Sequence, residues 1–283
     1  MKSISIIGCG WFGLPLAKQL LNGGYKVSGT KRSEAGCEQL TELGVESYLL
    51  DLSLLPSNSP VQDSASTAVT AYNELLDVDA LVINIPPGLR RGESQYLVHI
   101  QRLMGLIGQR QYQRIIFIST TGVYPAEDKV MYETDANAYD AKSDILLAAE
   151  SLVAEKDNAC IVRFSGLIGP KRHPGKFFAG KADVSGANVA VNLVHLDDCI
   201  QAIDAILFST FAGQAVANYY NLSAPSHPSR ADFYQAATRQ LGLAAPQFND
   251  VIMPSKIING DLICQQLNFN YIHPDPLTML EHC

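Results

Sequence analysis

The sequence lacks any apolar run long enough to span a bilayer, and positive charge is the scarcer sign along its 283 residues. Its 21 Lys and Arg stand against 28 Asp and Glu, and the formal net charge of -7 argues against a nucleic-acid partner. A strand pattern begins almost at Met1, which leaves no room for a cleaved leader segment. We therefore expect a cytoplasmic globular protein that binds neither membrane nor nucleic acid.

Close pairs of cysteines are also missing, and histidines and carboxylates show no paired spacing typical of metal ligands. The cysteines are scattered, at Cys9, Cys37, Cys160, Cys199, Cys264 and Cys283. We expect most of them to be small buried residues in a reducing compartment. We predict no metal site, and we interpret His195 as a structural histidine rather than a base.

Glycine, by contrast, is concentrated near the N-terminus, in a pattern typical of phosphate binding. A mostly apolar segment, residues 4–7, runs directly into Gly8, Gly10 and Gly13, and a helical pattern follows. In such a strand–turn–helix unit the first glycine permits an unusual backbone geometry, the second lets the main chain approach a pyrophosphate, and the third lets the helix pack on its strand.

The backbone N–H groups at the start of that helix, including those of Trp11 and Phe12, are expected to face the anion. This context favours a dinucleotide site over the alternative, a purely structural glycine turn. The site residues predicted from this turn are Gly8, Gly10, Trp11, Phe12 and Gly13.

The tip of the second strand indicates which dinucleotide fits. An NAD site usually has a carboxylate there, whereas an NADP site needs cationic groups for the 2′-phosphate. This tip has Thr30, Lys31 and Arg32, and the nearest acid is Glu34. We therefore predict NADP as the cofactor, with NAD as the alternative. The alternative to a phosphate-binding role is that Lys31 and Arg32 are ordinary solvated charges.

Strands and helices alternate along the chain, which predicts an α/β fold with a doubly wound parallel sheet of the Rossmann type. Residues 53–66, rich in Ser and Pro, predict a surface loop. Strand patterns cover residues 4–7, 25–30, 45–50, 80–85, 114–119, 189–196, 219–222 and 251–253, and helix patterns cover residues 14–21, 34–43, 67–76, 94–109, 199–208, 229–241 and 256–267. We expect Asp197 or Asp198 to cap the helix of residues 199–208.

Residues 1–168, with residues 190–224 returning to them, are predicted to form the NAD(P)-binding domain. Residues 169–189 and 225–283 are predicted to form a smaller lobe that covers the substrate. Asp51, at the end of the third strand, is expected either to accept a hydrogen bond from adenine or to cap the next turn. The strand of residues 80–85 stops at Pro86, Pro87 and Gly88, which we expect to form a rigid bend at the sheet edge where ligands bind in open α/β sheets.

Four later motifs carry a family resemblance over nearly the whole chain. They are Ser-Thr-Thr-Gly-Val-Tyr at residues 119–124, Ile-Val-Arg-Phe-Ser-Gly-Leu-Ile-Gly-Pro at 161–170, Val-His-Leu-Asp-Asp at 194–198 and Asn-Leu-Ser at 221–223. With the glycine turn, they make the chain resemble the extended short-chain dehydrogenase/reductase superfamily, which contains nucleotide-sugar epimerases and dehydratases. The likeness is greatest to its atypical members.

The resemblance implies a catalytic Tyr, a Lys four residues later on the same helix, and a Ser or Thr at the preceding strand end. Thr120 matches the last position. Tyr139 and Lys142 are only three residues apart, and aligning the helix on Glu150 instead places Lys142 at the Tyr position and Leu146 at the Lys position. Either Tyr139 and Lys142 form a displaced pair, or the fold binds a dinucleotide without the usual proton transfer.

The first hypothesis is an NADP-dependent oxidoreductase or epimerase/dehydratase-like enzyme with a small nucleotide-sugar or carbonyl substrate. In it, Thr120 and Tyr139 polarise the substrate, and Ile85, Pro86, Pro87 and Ser119 line the nicotinamide side. A loop with five basic residues would suit an anionic substrate or be simply solvated; these residues are Lys171, Arg172, His173, Lys176 and Lys181. The second hypothesis is a non-catalytic NADP-binding sensor or regulator. The sequence leaves open whether the protein forms a homodimer.

Overall fold

The computed structural model describes residues 1–55, 67–88 and 95–283. Its strands, in chain order, are β1 (Ser3–Ile7), β2 (Lys26–Lys31), β3 (Glu46–Leu49), β4 (Ala80–Ile83), β5 (Arg114–Thr120), β6 (Val130–Met131), β7 (Ala159–Phe164), β8 (Gly166–Ile168), β9 (Leu193–His195), β10 (Tyr219–Leu222) and β11 (Ile257–Ile258). Within the described residues, seven strands form one mostly parallel sheet in the order β10-β7-β5-β4-β1-β2-β3. The predicted α/β class is confirmed.

The helices connect these strands, as the parallel pairing requires. In chain order they are α1 (Gly13–Asn22), α2 (Glu34–Glu42), α3 (Thr67–Leu76), α4 (Tyr96–Ile107), α5 (Ala141–Ala154), α6 (Leu196–Phe211), α7 (Arg230–Gln240), α8 (Asp261–Leu267) and α9 (Pro276–Met279). In the part of the chain that the structure describes, no helix combines the length and apolar character needed to cross a membrane.

Strand β1 lies at the point where the strand order of the sheet reverses. The chain adds β2 and β3 on one side of β1, and β4, β5, β7 and β10 on the other. Ile4 is opposite Val27 of β2 on one side and opposite Ala80 of β4 on the other. Both β1 and β4 are almost fully buried, which agrees with the uninterrupted apolar run of β4 and the mostly apolar residues of β1. Ligands of open α/β sheets bind at the carboxyl ends of the strands at such a point, and here that end is the glycine turn.

Three of the longer helices begin with a side-chain cap, whereas α1 and α4 do not. Ser33 caps α2, Asp140 caps α5 and Ser229 caps α7, each accepting a hydrogen bond from a backbone N–H of the first turn. The N-cap residue of α1 is Phe12, its side chain makes no capping bond, and the first turn has no acidic residue. The start of α1 therefore has the backbone chemistry of an anion site without a protein carboxylate.

By the contacts among its residues, the described chain divides into two compact units. The first contains residues 1–119, 140–162 and 203–219, and the second contains residues 120–139, 163–202 and 220–283. The core of the second unit includes Ile168, Phe233, Ala237 and Met279. The predicted boundaries of a nucleotide domain and a substrate-covering lobe stay a prediction.

Several predicted elements were wrong in the second half of the chain. Helix α6 begins at Leu196, so Asp197 and Asp198 lie inside its first turn and do not cap it. Residues 251–253 form no strand and are largely exposed, so their apolar side chains have no buried face to occupy. The predicted helix of residues 256–267 begins only at Asp261, because β11 occupies two of its first residues.

The predicted strand of residues 189–196 is reduced to the three residues of β9. The predicted surface loop of residues 53–66 lies mostly outside the described residues, and so does Ser94, the first residue of another predicted helix.

Candidate functional site

Two of the three glycines in the N-terminal turn are required by packing. Gly8 has φ +103°, and a Cβ at this position would overlap the carbonyl oxygen of Asn84. A Cβ at Gly13 would overlap the carbonyl oxygen of Gly8. Gly8 and Gly13 are therefore glycines because the backbone segments around the turn approach each other closely.

Gly10 is different. Its φ is not positive, and no atom of the described residues lies within 4 Å of the position that a Cβ would occupy, its chain neighbours aside. Neither conformation nor packing explains a glycine there. The open space next to Gly10 is where a bound group would approach the main chain, as in a pyrophosphate site.

The turn is held by neighbouring strand ends. The Asn84 side-chain amide donates to the Gly8 carbonyl oxygen at 2.8 Å, and the Gly8 N–H donates to the Thr30 hydroxyl oxygen at 2.9 Å. The Cys9 N–H donates to the Thr30 carbonyl oxygen at 3.1 Å. These bonds fix the turn before any ligand binds. The sequence analysis missed Asn84, although it is the first polar side chain after an apolar strand.

Cys9 has a packing role in this turn. It is buried, and burial raises the pKa of its thiol to about 12, so the group stays protonated at neutral pH. A Cβ at Gly29 would lie 2.6 Å from the Cys9 sulfur, so the second strand accommodates Cys9 by having glycine opposite it. This agrees with the expectation of a small buried residue.

At the tip of β2 the two cations have different surroundings. The aliphatic stem of Lys31 lies over Gly36 in α2, where a Cβ would come within 3.1 Å of it. Arg32 is exposed. Thr30 is buried against the glycine turn, so its hydroxyl already accepts an amide hydrogen. Of the three residues predicted here, Arg32 is the most accessible to a ligand.

Asp51 caps the short turn that follows β3. Its Oδ1 accepts hydrogen bonds from the Ser53 hydroxyl at 2.7 Å and from the Ser53 N–H at 2.9 Å. These bonds hold the pKa of Asp51 below its ordinary value, and the positive charge of Arg32 adds to the effect. One of the two predicted roles, the cap, is therefore observed, and the adenine contact stays a prediction.

Ile85, Pro86 and Pro87 follow Asn84 after the end of β4; Pro86 is exposed, and Ile85 and Pro87 are partly exposed. Ser119, near the end of β5, is buried and donates to the Glu150 carboxylate at 2.5 Å. This bond ties the end of β5 to α5. Ser119 is thus held in position by Glu150, the residue on which the alternative alignment of the catalytic helix was based.

Thr120 and Tyr139 both form side-chain hydrogen bonds to the backbone of Gly122. The Thr120 hydroxyl oxygen accepts from the Gly122 N–H at 3.2 Å, and the Tyr139 hydroxyl donates to the Gly122 carbonyl oxygen at 3.0 Å. The structure therefore brings these two predicted catalytic residues to the same short turn. Their roles in catalysis stay a prediction.

Tyr139 is not part of α5, because that helix begins at Ala141. Asp140 is the N-cap, and it accepts hydrogen bonds from the Lys142 and Ser143 N–H groups. Tyr139 consequently precedes the helix, and Lys142 is its exposed second residue. Leu146, at the Lys position of the alternative alignment, is buried. A pair with helical spacing is therefore not formed by Tyr139 and Lys142.

Comparisons with known proteins agree with this geometry. Residues 3–94 match the NAD binding domain of 6-phosphogluconate dehydrogenase. Protein YeeZ of Escherichia coli strain K12 is 39% identical over 287 residues, which cover 99% of each chain.

Two solved structures show the same fold at low identity. A putative NAD-dependent epimerase/dehydratase from Methylobacillus flagellatus superposes with a TM-score of 0.75, at 22% identity over 99% of this chain and 96% of that chain. UDP-glucuronic acid 4-epimerase from Bacillus cereus, in complex with UDP-glucuronic acid and NAD, gives a TM-score of 0.72 at 17% identity, over 99% and 97% of the two chains. The short-chain dehydrogenase/reductase resemblance is confirmed at the level of fold, with an NAD-binding Rossmann domain.

Proposed function

The chain belongs to the family of Escherichia coli protein YeeZ, and we propose that it is an NADP-dependent oxidoreductase or epimerase with a nucleotide-sugar or carbonyl substrate. The observation that carries this proposal is Gly10, a glycine with open space at its Cβ position next to an uncapped helix start. The Bacillus cereus epimerase of the same fold binds UDP-glucuronic acid and NAD, which supports the substrate class.

The residues of the N-terminal turn fit a dinucleotide. The backbone around Gly10, with the Trp11 and Phe12 amides, would hold the pyrophosphate, because N–H groups at a helix start attract anions. Arg32 and Lys31 would bind the 2′-phosphate. Asp51 would contact adenine, and Ile85, Pro86, Pro87 and Ser119 would line the nicotinamide side. The bound cofactor would supply a hydride donor or acceptor.

Thr120 and Tyr139 would polarise a substrate carbonyl or hydroxyl group. Both side chains carry a hydroxyl, and both are oriented by backbone groups of Gly122. The Thr120 hydroxyl accepts from Gly122 and so keeps its own hydrogen for a substrate oxygen. The Tyr139 hydroxyl has one hydrogen, so it would release the Gly122 carbonyl oxygen before it donates to a substrate. We assign Thr120 and Tyr139 this role, and we assign Lys142 none beyond that of an exposed helix residue.

The cofactor site is tested by Gly10→Val, compared with Gly105→Val in α4, where a Cβ also meets open space. Both variants should fold, with little change in thermal stability. The valine side chain of Gly10→Val would occupy the space proposed for the pyrophosphate and would keep it from the backbone N–H groups. NADPH binding should weaken at least tenfold, because losing one hydrogen bond to a charged group costs about 1.5–3 kcal/mol. Gly105→Val should bind NADPH like the wild type. Full NADPH affinity in folded Gly10→Val would exclude a pyrophosphate at this turn.

The second candidate is a non-catalytic NADP-binding sensor or regulator. The observation that favours it is buried Leu146 at the position where the alternative alignment requires a lysine. The two candidates differ in turnover, because a regulator should bind NADPH without oxidising it in the presence of any substrate.

Turnover is tested with NADPH, a panel of UDP-sugars and simple carbonyl compounds. For an enzyme, Tyr139→Phe and Thr120→Ala should lower kcat by about 100-fold, the lower end of what a general acid contributes, with NADPH affinity unchanged. Tyr132→Phe, a change at another exposed tyrosine, is the control. Binding of NADPH with no turnover across the panel would favour the regulator.

A further inference from the structure

Three potential metal ligands meet in the second unit, away from the glycine turn in sequence. His195 ends β9, Asp197 lies in the first turn of α6, and His273 precedes α9. The ligand atoms of these side chains all lie within 4.8 Å of one another. The Asp197 Oδ2 atom is 3.3 Å from His195 Nδ1 and 3.1 Å from His273 Nε2. One carboxylate oxygen is thus shared by two imidazole nitrogens.

Two of the three separations between ligand atoms are close to those around a small metal ion. Nitrogen and oxygen ligands lie about 2.0–2.2 Å from Zn²⁺. At these bond lengths, tetrahedral geometry places two ligand atoms about 3.3–3.6 Å apart, and the two measured separations are at or just below this range. A donor set of two nitrogens and one oxygen suits a divalent transition metal better than Mg²⁺ or Ca²⁺, which prefer oxygen.

The tautomer of His195 is suitable for a ligand. Its Nε2 lies 3.2 Å from the carbonyl oxygen of His282, and because a carbonyl can only accept, Nε2 carries the hydrogen. Nδ1 is therefore the atom with the lone pair. It also accepts the Asp197 N–H at 3.2 Å, a long bond that a metal ion would replace. Histidine ligands typically donate their second ring N–H to a backbone carbonyl in this way.

The segment that carries His273 is held in position. The Asp198 carboxylate accepts hydrogen bonds from the Ile272 N–H at 2.6 Å and the His273 N–H at 3.3 Å. His195 and His273 are buried, while the Asp197 side chain is 49% exposed. An ion could therefore reach the cluster from solvent on the Asp197 side, and a water molecule could occupy a fourth position.

We propose that His195, Asp197 and His273 form a binding site for one divalent transition-metal ion, with Zn²⁺ as the ion that fits best. The ion would link β9 and the start of α6 to the C-terminal segment that contains His273. This site differs from the sequence-based prediction of no metal. The ligand spacing is not recognisable in the sequence, because His273 lies 76 residues beyond Asp197.

The proposal is tested on the full chain, without a histidine tag, after treatment with a chelator and dialysis. Calorimetric titration with Zn²⁺ should show one ion bound per chain, and thermal unfolding should move to a higher temperature. Asp197→Asn and His273→Gln should weaken Zn²⁺ binding at least about 100-fold, because even losing a residue that only orients a ligand costs 10- to 100-fold.

Two control variants separate this site from others. His173→Gln changes a histidine that is not part of the cluster and whose ring contacts Gln240, and it should leave Zn²⁺ binding unchanged. A double variant, His282→Ala with Cys283→Ser, should also keep binding, because the proposed site uses only the backbone of His282. Loss of binding in this double variant, with full binding in Asp197→Asn, would overturn the proposal.

The wild-type chain provides a test that does not depend on folding of the variants. In NMR spectra of the histidine rings, Zn²⁺ should shift the signals of His195 and His273 and leave those of His173 in place. Absence of stoichiometric binding, or shifts confined to His173, would show that the three side chains form only a hydrogen-bonded cluster.

Discussion

Gly10 and Gly13 are the same amino acid for different reasons, although only two residues separate them. A side chain at Gly13 would collide with the backbone of the turn, whereas a side chain at Gly10 would enter open space. Substitution at Gly13 therefore tests folding, and substitution at Gly10 tests ligand binding. A mutation at Gly13 that abolished binding would say little about the cofactor.

We predict that single residues also decide between NADP and NAD. Arg32 is exposed at the tip of β2, while the stem of Lys31 is packed over α2. Of the two, Arg32 can adjust more freely to a 2′-phosphate. The comparisons support an NAD-binding domain, and the preference for NADP is our prediction from these cations.

We predict that Arg32→Gln weakens NADPH binding about tenfold or more and leaves NADH binding unchanged. The reason is that NADH lacks the phosphate to which the guanidinium would donate, and such a charged hydrogen bond contributes about 1.5–3 kcal/mol. Fluorescence titrations with both reduced cofactors measure the difference. Lys18→Gln, an exposed cation on α1, is the matched control. Tighter binding of NADH than NADPH by the wild type would reverse the assignment.

At the scale of elements, a buried network joins the turn after β5 to the ends of β7 and β10. The Tyr124 hydroxyl donates to the Asn221 side chain at 2.6 Å and accepts from the Arg163 guanidinium at 2.8 Å. Arg163 also donates to the Glu133 carbonyl oxygen at 2.8 Å. All these groups belong to the second unit. One hydroxyl therefore provides a partner for the Asn221 side-chain oxygen and for the Arg163 guanidinium.

Tyr124→Phe should lower the free energy of unfolding by at least about 2 kcal/mol. The substitution leaves a buried acceptor on Asn221 and a buried donor on Arg163 each without its Tyr124 partner, and each such group costs about 1–3 kcal/mol. Urea denaturation with an unchanged m-value measures the loss. Tyr25→Phe is the control, since the Tyr25 ring packs on Phe211 and is partly exposed. A Tyr124→Phe variant as stable as the control would mean that Tyr124 does not hold these groups.

At the scale of the whole molecule, the chain combines the glycine turn expected of a nucleotide-binding domain with a helix α5 that departs from the Tyr/Lys pattern implied by the family resemblance. The chain shares its fold over nearly its full length with a putative NAD-dependent epimerase/dehydratase. Helix α5 begins after Tyr139 and buries Leu146. Because one fold supports many reactions, its activity has to be argued from Thr120, Tyr139 and the cofactor site.

Local patterns in the chain were sufficient for much of this architecture. The predicted bounds of α3 and β10 agree with the structure, and the alternation of strands and helices predicted the parallel sheet. The glycine turn was predicted from neighbouring residues alone. These features depend on hydrophobic periodicity and on backbone freedom, which act over a few residues and are therefore visible in the order of amino acids.

Contacts between distant residues established the rest. Asn84 reaches Gly8 across 76 residues, His273 reaches Asp197 across the same interval, and the start of α6 was mispredicted because Asp198 binds backbone groups of residues 272 and 273. Such partners are brought together by the packing of whole elements, and no periodicity records them. For the same reason the sequence predicted that Gly10 matters, but folding was needed to show that nothing in the described chain fills the space beside it.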